Sequence, residues 1–405
     1  MSEAPWLSAP IGIDANRWVT RSGLRKVLVA INSLVAGHRL DDVIGLIETD
    51  LHVQVAYTKA PGVFGAGVES LIRSFGGLEM PWQQATHERF DLAVSAGYEG
   101  MDRIHAPIMV LPHGAGYGKR APACPDARRA GRRAVYGLDP QRLMRDGRLI
   151  PARIVLSHRA QRALLASQCP PAAKIAMVAG DPCLDRLAVS LPARADYRAA
   201  LGIEPDQRLV LIASTWGPHS VIGRNIELVF DVMRELRSRR YRVGTLVHPA
   251  AWAAHGVRQL RAWLTDARDA GLMMVDPERD WRPSLLAADY VIGDHGSTTV
   301  YAAALGIPVL HNGFPAAEVD PRSPHAWLAR HAPTLTRGRP LVQQLRTAAS
   351  AATRTWQEAV LSRLTSRPGH AHRLLRQEMY RLLGLAVPGR HRRAEPVPVP
   401  DAGGA

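Results

Sequence analysis

The sequence predicts an α/β fold of two Rossmann-like domains, and three observations predict it. Short runs of four to seven apolar residues recur along the chain, with segments of helical length between them. The series halts at a proline-containing connector near residue 190 and then starts again. At 405 residues the chain is also too long for one ordinary hydrophobic core, so two domains are the natural reading.

The elements follow in order. KVLVAINSLV (26–35) reads as the first strand, and RLDDVIGLIETD after it as a helix. HVQVAY (52–57), FDLAVSAG (90–97), APIMVLPHG (106–114), RIVLSH (153–158) and KIAMVAG (174–180) read as further strands. Runs this apolar are buried on both faces, which means βαβ units around a parallel sheet. AVSLPARADYRAALGIEPDQ (188–207) is a helix-like connector. The second series is RLVLIAST (208–215), RVGTLVHP (242–249), LMMVDP (272–277), ADYVIGDHG (288–296) and IPVLHNG (307–313). IELVFDVMRELRSRR and VRQLRAWLTDARDAG, lying between them, carry apolar residues at helical spacing. The expected organisation is a first domain over 1–190, a second over 191–340 and C-terminal helices over 341–385, broken at Arg367-Pro368-Gly369. The tail 386–405 is rich in Pro, Gly and charge and reads as disordered. No internal repeat is visible.

Composition narrows the class. With 46% hydrophobic and 21% charged residues the chain is globular, and no apolar run approaches the ~20 residues of a membrane-spanning helix. The N-terminal stretch lacks the basic and then apolar segments of a secretory signal. Cys124, Cys169 and Cys183 show no CxxC spacing, which fits a reducing cytoplasm and points to neither disulfide framework nor metal site. The net charge of +15 is almost all arginine, since lysine occurs only at Lys26, Lys59, Lys119 and Lys174. Such a balance attracts phosphorylated substrates, an anionic membrane surface or nucleic acid. Nucleic acid is the least supported partner, for there is no zinc-finger spacing, no RRM signature and only 6% aromatic residues.

Polar residues gather where the strands end. The ends are His113-Gly114, Gly180-Asp181-Pro182, Ser214-Thr215-Trp216, His248-Pro249 and Asp294 through Thr299. In open α/β sheets ligands sit at the carboxyl ends of strands. Gly293-Asp294-His295-Gly296-Ser297-Thr298-Thr299 also opens a small-residue helix. A helix start presents unpaired N–H groups and a positive dipole end to an anion. Ser297 or Thr298 acting as a helix cap is the plainer alternative.

The order of these motifs resembles the CDP-glycerol glycerophosphotransferase family, enzymes that build or prime teichoic acids on a GT-B fold. The likeness rests on LPHGAGYGK, on GDPCLDRL (Gly180, Pro182, Asp185, Leu187), on ASTW, on VHP and on GDHGSTT, and covers roughly residues 105–315. It implies two Rossmann-like domains facing across a cleft lined by His113, His248 and Ser297. It also implies a transferase that moves a phosphoryl-alcohol group from a CDP-activated donor to a hydroxyl acceptor, lipid-linked or free, without cofactor or metal. His113 would be the base, and His248, Ser214, Thr215, Gly296, Ser297 and Thr298 would hold the donor's phosphates. Asp294 would orient a neighbour, because two anions repel. The implied location is the cytoplasm, with contact at the inner face of the membrane.

Three departures touch donor recognition. Lys119 stands one place late after the His-Gly, Gly217 replaces an Arg after Thr-Trp, and Tyr301 replaces an acid in the last helix. They keep open a GT-B glycosyltransferase or epimerase using a UDP- or GDP-sugar, and a non-catalytic polyanion-binding protein. Trp216 is expected in the core rather than on a nucleobase, and His219 and His295 on the surface.

Overall fold

The computed structural model describes residues 6–12, 15–122, 133–389 and 394–401, so Cys124 lies outside the described residues. The chain forms two compact units. The first comprises Met1–Tyr117, Gly137–Cys183 and Ser366–Ala394; the second comprises Gly118–Tyr136, Leu184–Thr365 and Glu395–Ala405.

The first unit is built on β1 (Arg25–Ile31), β2 (Val53–Lys59), β3 (Leu92–Ser95), β4 (Ile108–Val110), β5 (Arg153–Leu156) and β6 (Ala176–Val178). They pair in the order β2-β1-β3-β4-β5-β6, every pair parallel. Val27, Val29, Ile31, Leu92 and Val94 form the apolar floor. Helix α1 (Leu34–Ile44) covers it, started by Ser33, whose hydroxyl accepts from the Ala36 N–H. The helix Ala371–Leu383 joins the same core through Ala371, Leu375, Met379 and Leu383, a face repeated every fourth residue. Leu375→Ala would cost about 2–5 kcal/mol by the usual scale for a core cavity.

The second unit holds β7 (Arg208–Ser214), β8 (Tyr241–Val247), β9 (Met273–Met274), β10 (Tyr290–Gly293) and β11 (Val309–His311). Their order is β9-β8-β7-β10-β11, again all parallel. Val210, Ile212, Val229, Val232, Ile292 and Leu310 form its core with Leu341, Leu345 and Ala348. Both series of apolar runs in the sequence are thus the two sheets.

Two segments differ from the composition-based reading. The helices of 341–385 do not stay together: Leu341–Ala351 and Arg354–Leu364 belong to the second unit and Ala371–Leu383 to the first. The tail is ordered over 394–401. Val397 is 2% exposed, its N–H donates to Ser190 Oγ at 2.8 Å, and its carbonyl accepts from Tyr197 Oη at 2.5 Å. One apolar side chain among the prolines, seated in a niche with two hydrogen bonds, anchors what bulk composition reads as unstructured.

Candidate functional site

Strand order reverses between β7 and β10 in the second unit, which is where an open parallel sheet receives a ligand. Asp294, 1% exposed, sits at this reversal. Its carboxylate accepts from the N–H of Thr215 (3.0 Å), of Val221 (2.8 Å) and of Gly296 (2.8 Å). One side chain therefore ties together the turn after β7, the start of helix α2 (Val221–Asn225) and its own loop. Burial pushes the Asp294 carboxyl above the usual range, opposed by these N–H donors and by the Lys119 ammonium. Its oxygens face the backbone N–H groups of these three segments.

Lys119 Nζ donates to Thr215 Oγ1 at 2.9 Å. Burial pushes this ammonium below its ordinary value, and Asp294 and Glu318 push it back up. Ser214 Oγ donates to the Thr215 carbonyl and accepts from the Ile222 N–H (3.1 Å), so that hydroxyl serves the turn itself. His248 N-caps helix α3 (Pro249–His255): its Nδ1 accepts from the Ala250 N–H at 3.1 Å. In the neutral ring this commits the proton to Nε2, a donor at the end of β8.

Helix α4 (Ser297–Ala304) starts at Gly296 with no side-chain cap among the described residues. Ser297 and Thr298 are its first two residues, half-buried, and neither acts as the cap. A Cβ at Gly296 would lie 3.2 Å from Asp294 Oδ1 and 3.4 Å from Thr215 Cβ, so a side chain there would press on the carboxylate that holds the loop.

Two expectations are corrected here. Trp216 is 43% exposed rather than in the core: β7 ends at Ser214, and Gly217, with φ +86°, turns the chain away. His295 is 7% exposed rather than on the surface, packed on Phe314 with ring centroids 4.9 Å apart. Tyr301 is 1% exposed and stacks on Trp281 at 5.9 Å, so an aromatic core pair occupies the position of the acid that the family resemblance would place there.

In the first unit His113 follows β4 and is exposed. Its loop is anchored from below. Arg39 of α1 donates to the Gly114 carbonyl at 2.9 Å and pairs with Asp181 at 2.9 Å, the two side chains being 3% and 0% exposed. Gly116 has φ +68°, and a Cβ there would lie 2.5 Å from Ser157 Oγ. Strand order reverses between β1 and β3, where Asn32 Nδ2 donates to Glu99 Oε2 at 2.8 Å. Sequence reasoning missed Arg39, although a signal existed: it stands at a helical interval with the buried Ala36 and Val43, an odd place for a charge.

It also missed His311 and His325. Together with His295 they are buried in the second unit. Burial pushes all three rings down, His295 to about 2, His325 to about 3 and His311 to about 4, and the Lys119 charge adds to the effect on the first two. Among the described residues no group of three or more His, Cys, Asp or Glu is arranged to hold a metal ion. Nor is any described helix long and apolar enough to cross a membrane.

The chain matches no family model and no curated protein. Solved structures do match. The wall teichoic acid polymerase TagF superposes with a TM-score of 0.62 at 12% identity, over 90% of each chain. The UDP-GlcNAc 2-epimerase from Neisseria meningitidis, bound to UDP-GlcNAc, gives 0.56 at 14%, over 89% of this chain and 100% of the other. The S. aureus MnaA–UDP co-structure gives 0.51 at 13%, over 93% and 100%. At such identities the likeness shows the fold, which is GT-B with two Rossmann-like units.

Proposed function

We propose that the chain is a GT-B transferase that takes a phosphoryl-alcohol group from a CDP-activated donor to a hydroxyl acceptor, in the synthesis of a cell-wall or capsular polymer. The observation that carries the reading is the strand reversal in the second unit. There the carboxylate of Asp294 faces backbone N–H groups, while Lys119 and a helix start with no side-chain cap and two hydroxyls stand beside it. That combination suits a pyrophosphate, whose charge it would meet with an ammonium, hydroxyls and helix N–H groups.

In this reading His113 takes the proton of the acceptor hydroxyl, and the acceptor oxygen forms a bond to the donor's alcohol-bearing phosphorus. The bond from that phosphorus to the CMP oxygen breaks, and CMP leaves with the electron pair. Lys119, Ser297, Thr298 and the His248 Nε2–H would stabilise the charge that builds on the leaving phosphate. Asp294 and Ser214 would hold the strand ends in register. Trp216, 43% exposed, would stack on the nucleobase. The likeness to solved structures with CDPG soaked in and with UDP-GlcNAc bound supports a nucleotide-activated donor.

The experiment is a donor screen. CMP release from CDP-glycerol in the presence of hydroxyl acceptors is expected. UDP release or epimerisation of UDP-GlcNAc would instead favour the sugar-nucleotide reading, against which the buried Tyr301 already counts. Tight CDP binding without release from any donor would leave a polyanion-binding protein.

A further inference from the structure

Around Lys119 the second unit gathers polar groups that the proposed reaction does not use. The His325 ring, 3% exposed, lies in the first turn of helix α5 (Pro324–His331). A Cβ on Gly118, the residue before Lys119, would stand 2.8 Å from its Nδ1. Neither His325 nitrogen has a hydrogen-bond partner among the described residues, and neither does His295 Nδ1. Phe314 lies against His295 and His311, at 4.9 and 5.3 Å between centroids.

Buried imidazole nitrogens without partners cost stability, so their retention needs a reason. The surrounding charges supply one. Among the described residues no carboxylate lies within ion-pair distance of Lys119. Asp294 faces three backbone N–H groups, Glu318 pairs with Arg133 at 2.9 Å, and Asp320 pairs with Arg322 at 3.1 Å. The other titratable groups facing His295 are His219, His311 and His325, which bring no negative charge. The region is a low-dielectric niche with one ammonium, several neutral ring donors and no free anion. A neutral imidazole can donate a hydrogen bond to an anion without placing a second cation beside Lys119.

We propose that Lys119, His295 and His325 form an anion subsite for a doubly charged phosphate group, the ammonium supplying charge and the two rings supplying N–H donors. The inference rests on the nucleotide-donor reading for its biological ligand, but pyrophosphate alone tests it.

The full chain is titrated calorimetrically with inorganic pyrophosphate, with sulfate as a control for weak, adventitious binding. Lys119→Met and His325→Phe are compared with the parent protein; phenylalanine keeps a flat ring in the niche and removes both nitrogens. Each variant is expected to lose at least about tenfold in affinity, the scale of one charge-assisted hydrogen bond. The His325→Phe melting temperature is expected to stay level or rise, as for a purely apolar replacement of an unsatisfied ring. Unchanged affinity in His325→Phe, no pyrophosphate binding by the parent, or equal affinity for sulfate overturns the subsite. If His325→Phe fails to fold, His295→Phe carries the same expectation and the same overturning result. Pyrophosphate binding that depends on these residues while no donor reacts keeps the subsite and defeats the transfer reaction. CMP release by the parent protein together with an unaffected His325→Phe does the reverse.

Discussion

The two units finish their strands in different electrostatic surroundings. In the first, a buried arginine is matched by a buried aspartate and a carbonyl, and the residue held at the surface is the exposed His113. In the second, the buried aspartate is matched by backbone N–H groups, and the lysine beside it is left with a hydroxyl and neutral histidines. One arrangement is internally neutral and presents a group that can exchange a proton. The other is short of negative charge. In the proposed reaction the same parallel-sheet frame would separate proton handling from anion holding, and that separation can be attacked from either side.

The largest expected effect is on turnover. His113→Ala should lower the rate of CMP release by about 10²–10⁴-fold, the usual contribution of a general base, with CDP affinity within a few-fold. A variant as active as the parent removes His113 from the mechanism and dissolves the division of labour.

Next comes the anchor beneath it. Asp181→Ala takes from the buried Arg39 the carboxylate that balances its charge and should destabilise the first unit by about 3–5 kcal/mol. Replacing both partners, Arg39→Met with Asp181→Leu, should recover much of that loss while leaving the His113 loop without its hold on Gly114. Urea unfolding of the single and double variants measures both. Equal loss in the two would mean that the pair's shape, not its charge, matters.

Acid should separate the units. A histidine kept neutral by the fold has a folded pKa below its unfolded value of 6.5, so the unfolded chain takes up the proton first. Stability is complete above about pH 6.5 and falls as pH drops toward the folded values, by ~1.4 kcal/mol per pH unit for each such ring. Three rings give a fall of up to ~4 kcal/mol between pH 6 and 5 in the second unit. In the first unit the carboxylates held low are Asp50, beside His52 and Tyr380, and Glu378, beside Arg381 and Arg153. Their contribution is lost only as pH falls below the ordinary carboxylate values of 3.8 and 4.5. Hydrogen exchange at pH 7 and pH 5 should show the second unit opening first, and parallel loss in both would contradict the contrast.

The smallest effect is at the helix start. Ser297→Ala with Thr298→Val should weaken CDP binding by ~1–3 kcal/mol. Because Gly296, not a hydroxyl, stands at the cap position, folding stability should change by less than the ~1 kcal/mol of a lost cap. Unchanged affinity with a lower melting temperature would make the hydroxyls structural after all.

How far these features could be read from the sequence depended on how local they are. Strands announce themselves through neighbouring residues, and both sheets were legible, as were the polar groups after each strand. That Asp294 stands at the end of a strand was also legible, but not the three backbone N–H groups it would accept from. The Arg39–Asp181 pair joins positions 142 residues apart, and nothing in a single sequence pairs an arginine with an aspartate at that distance. The histidine cluster was illegible for a similar reason. His295, His311 and His325 belong to a strand end, a strand and a helix start, and only packing brings them together. Trp216 misled because an apolar residue after an apolar strand looks like more core until Gly217 turns the chain.

The covalent path between the units has a practical consequence for anyone dissecting the protein. The backbone passes from one unit to the other after Tyr117, Tyr136, Cys183, Thr365 and Ala394. Neither unit is therefore a single stretch of gene. A fragment covering 184–365 would carry Asp294, Ser297 and all three buried histidines but would lack Lys119, and with it the ammonium at the strand reversal. It would also lack 395–401, leaving the niche at Ser190 and Tyr197 open where Val397 belongs. Any dissection by truncation removes the lysine before it isolates the site. Only point substitution in the intact polypeptide, or a deliberate splice that restores 118–136 and 395–401, can ask what the second unit binds by itself.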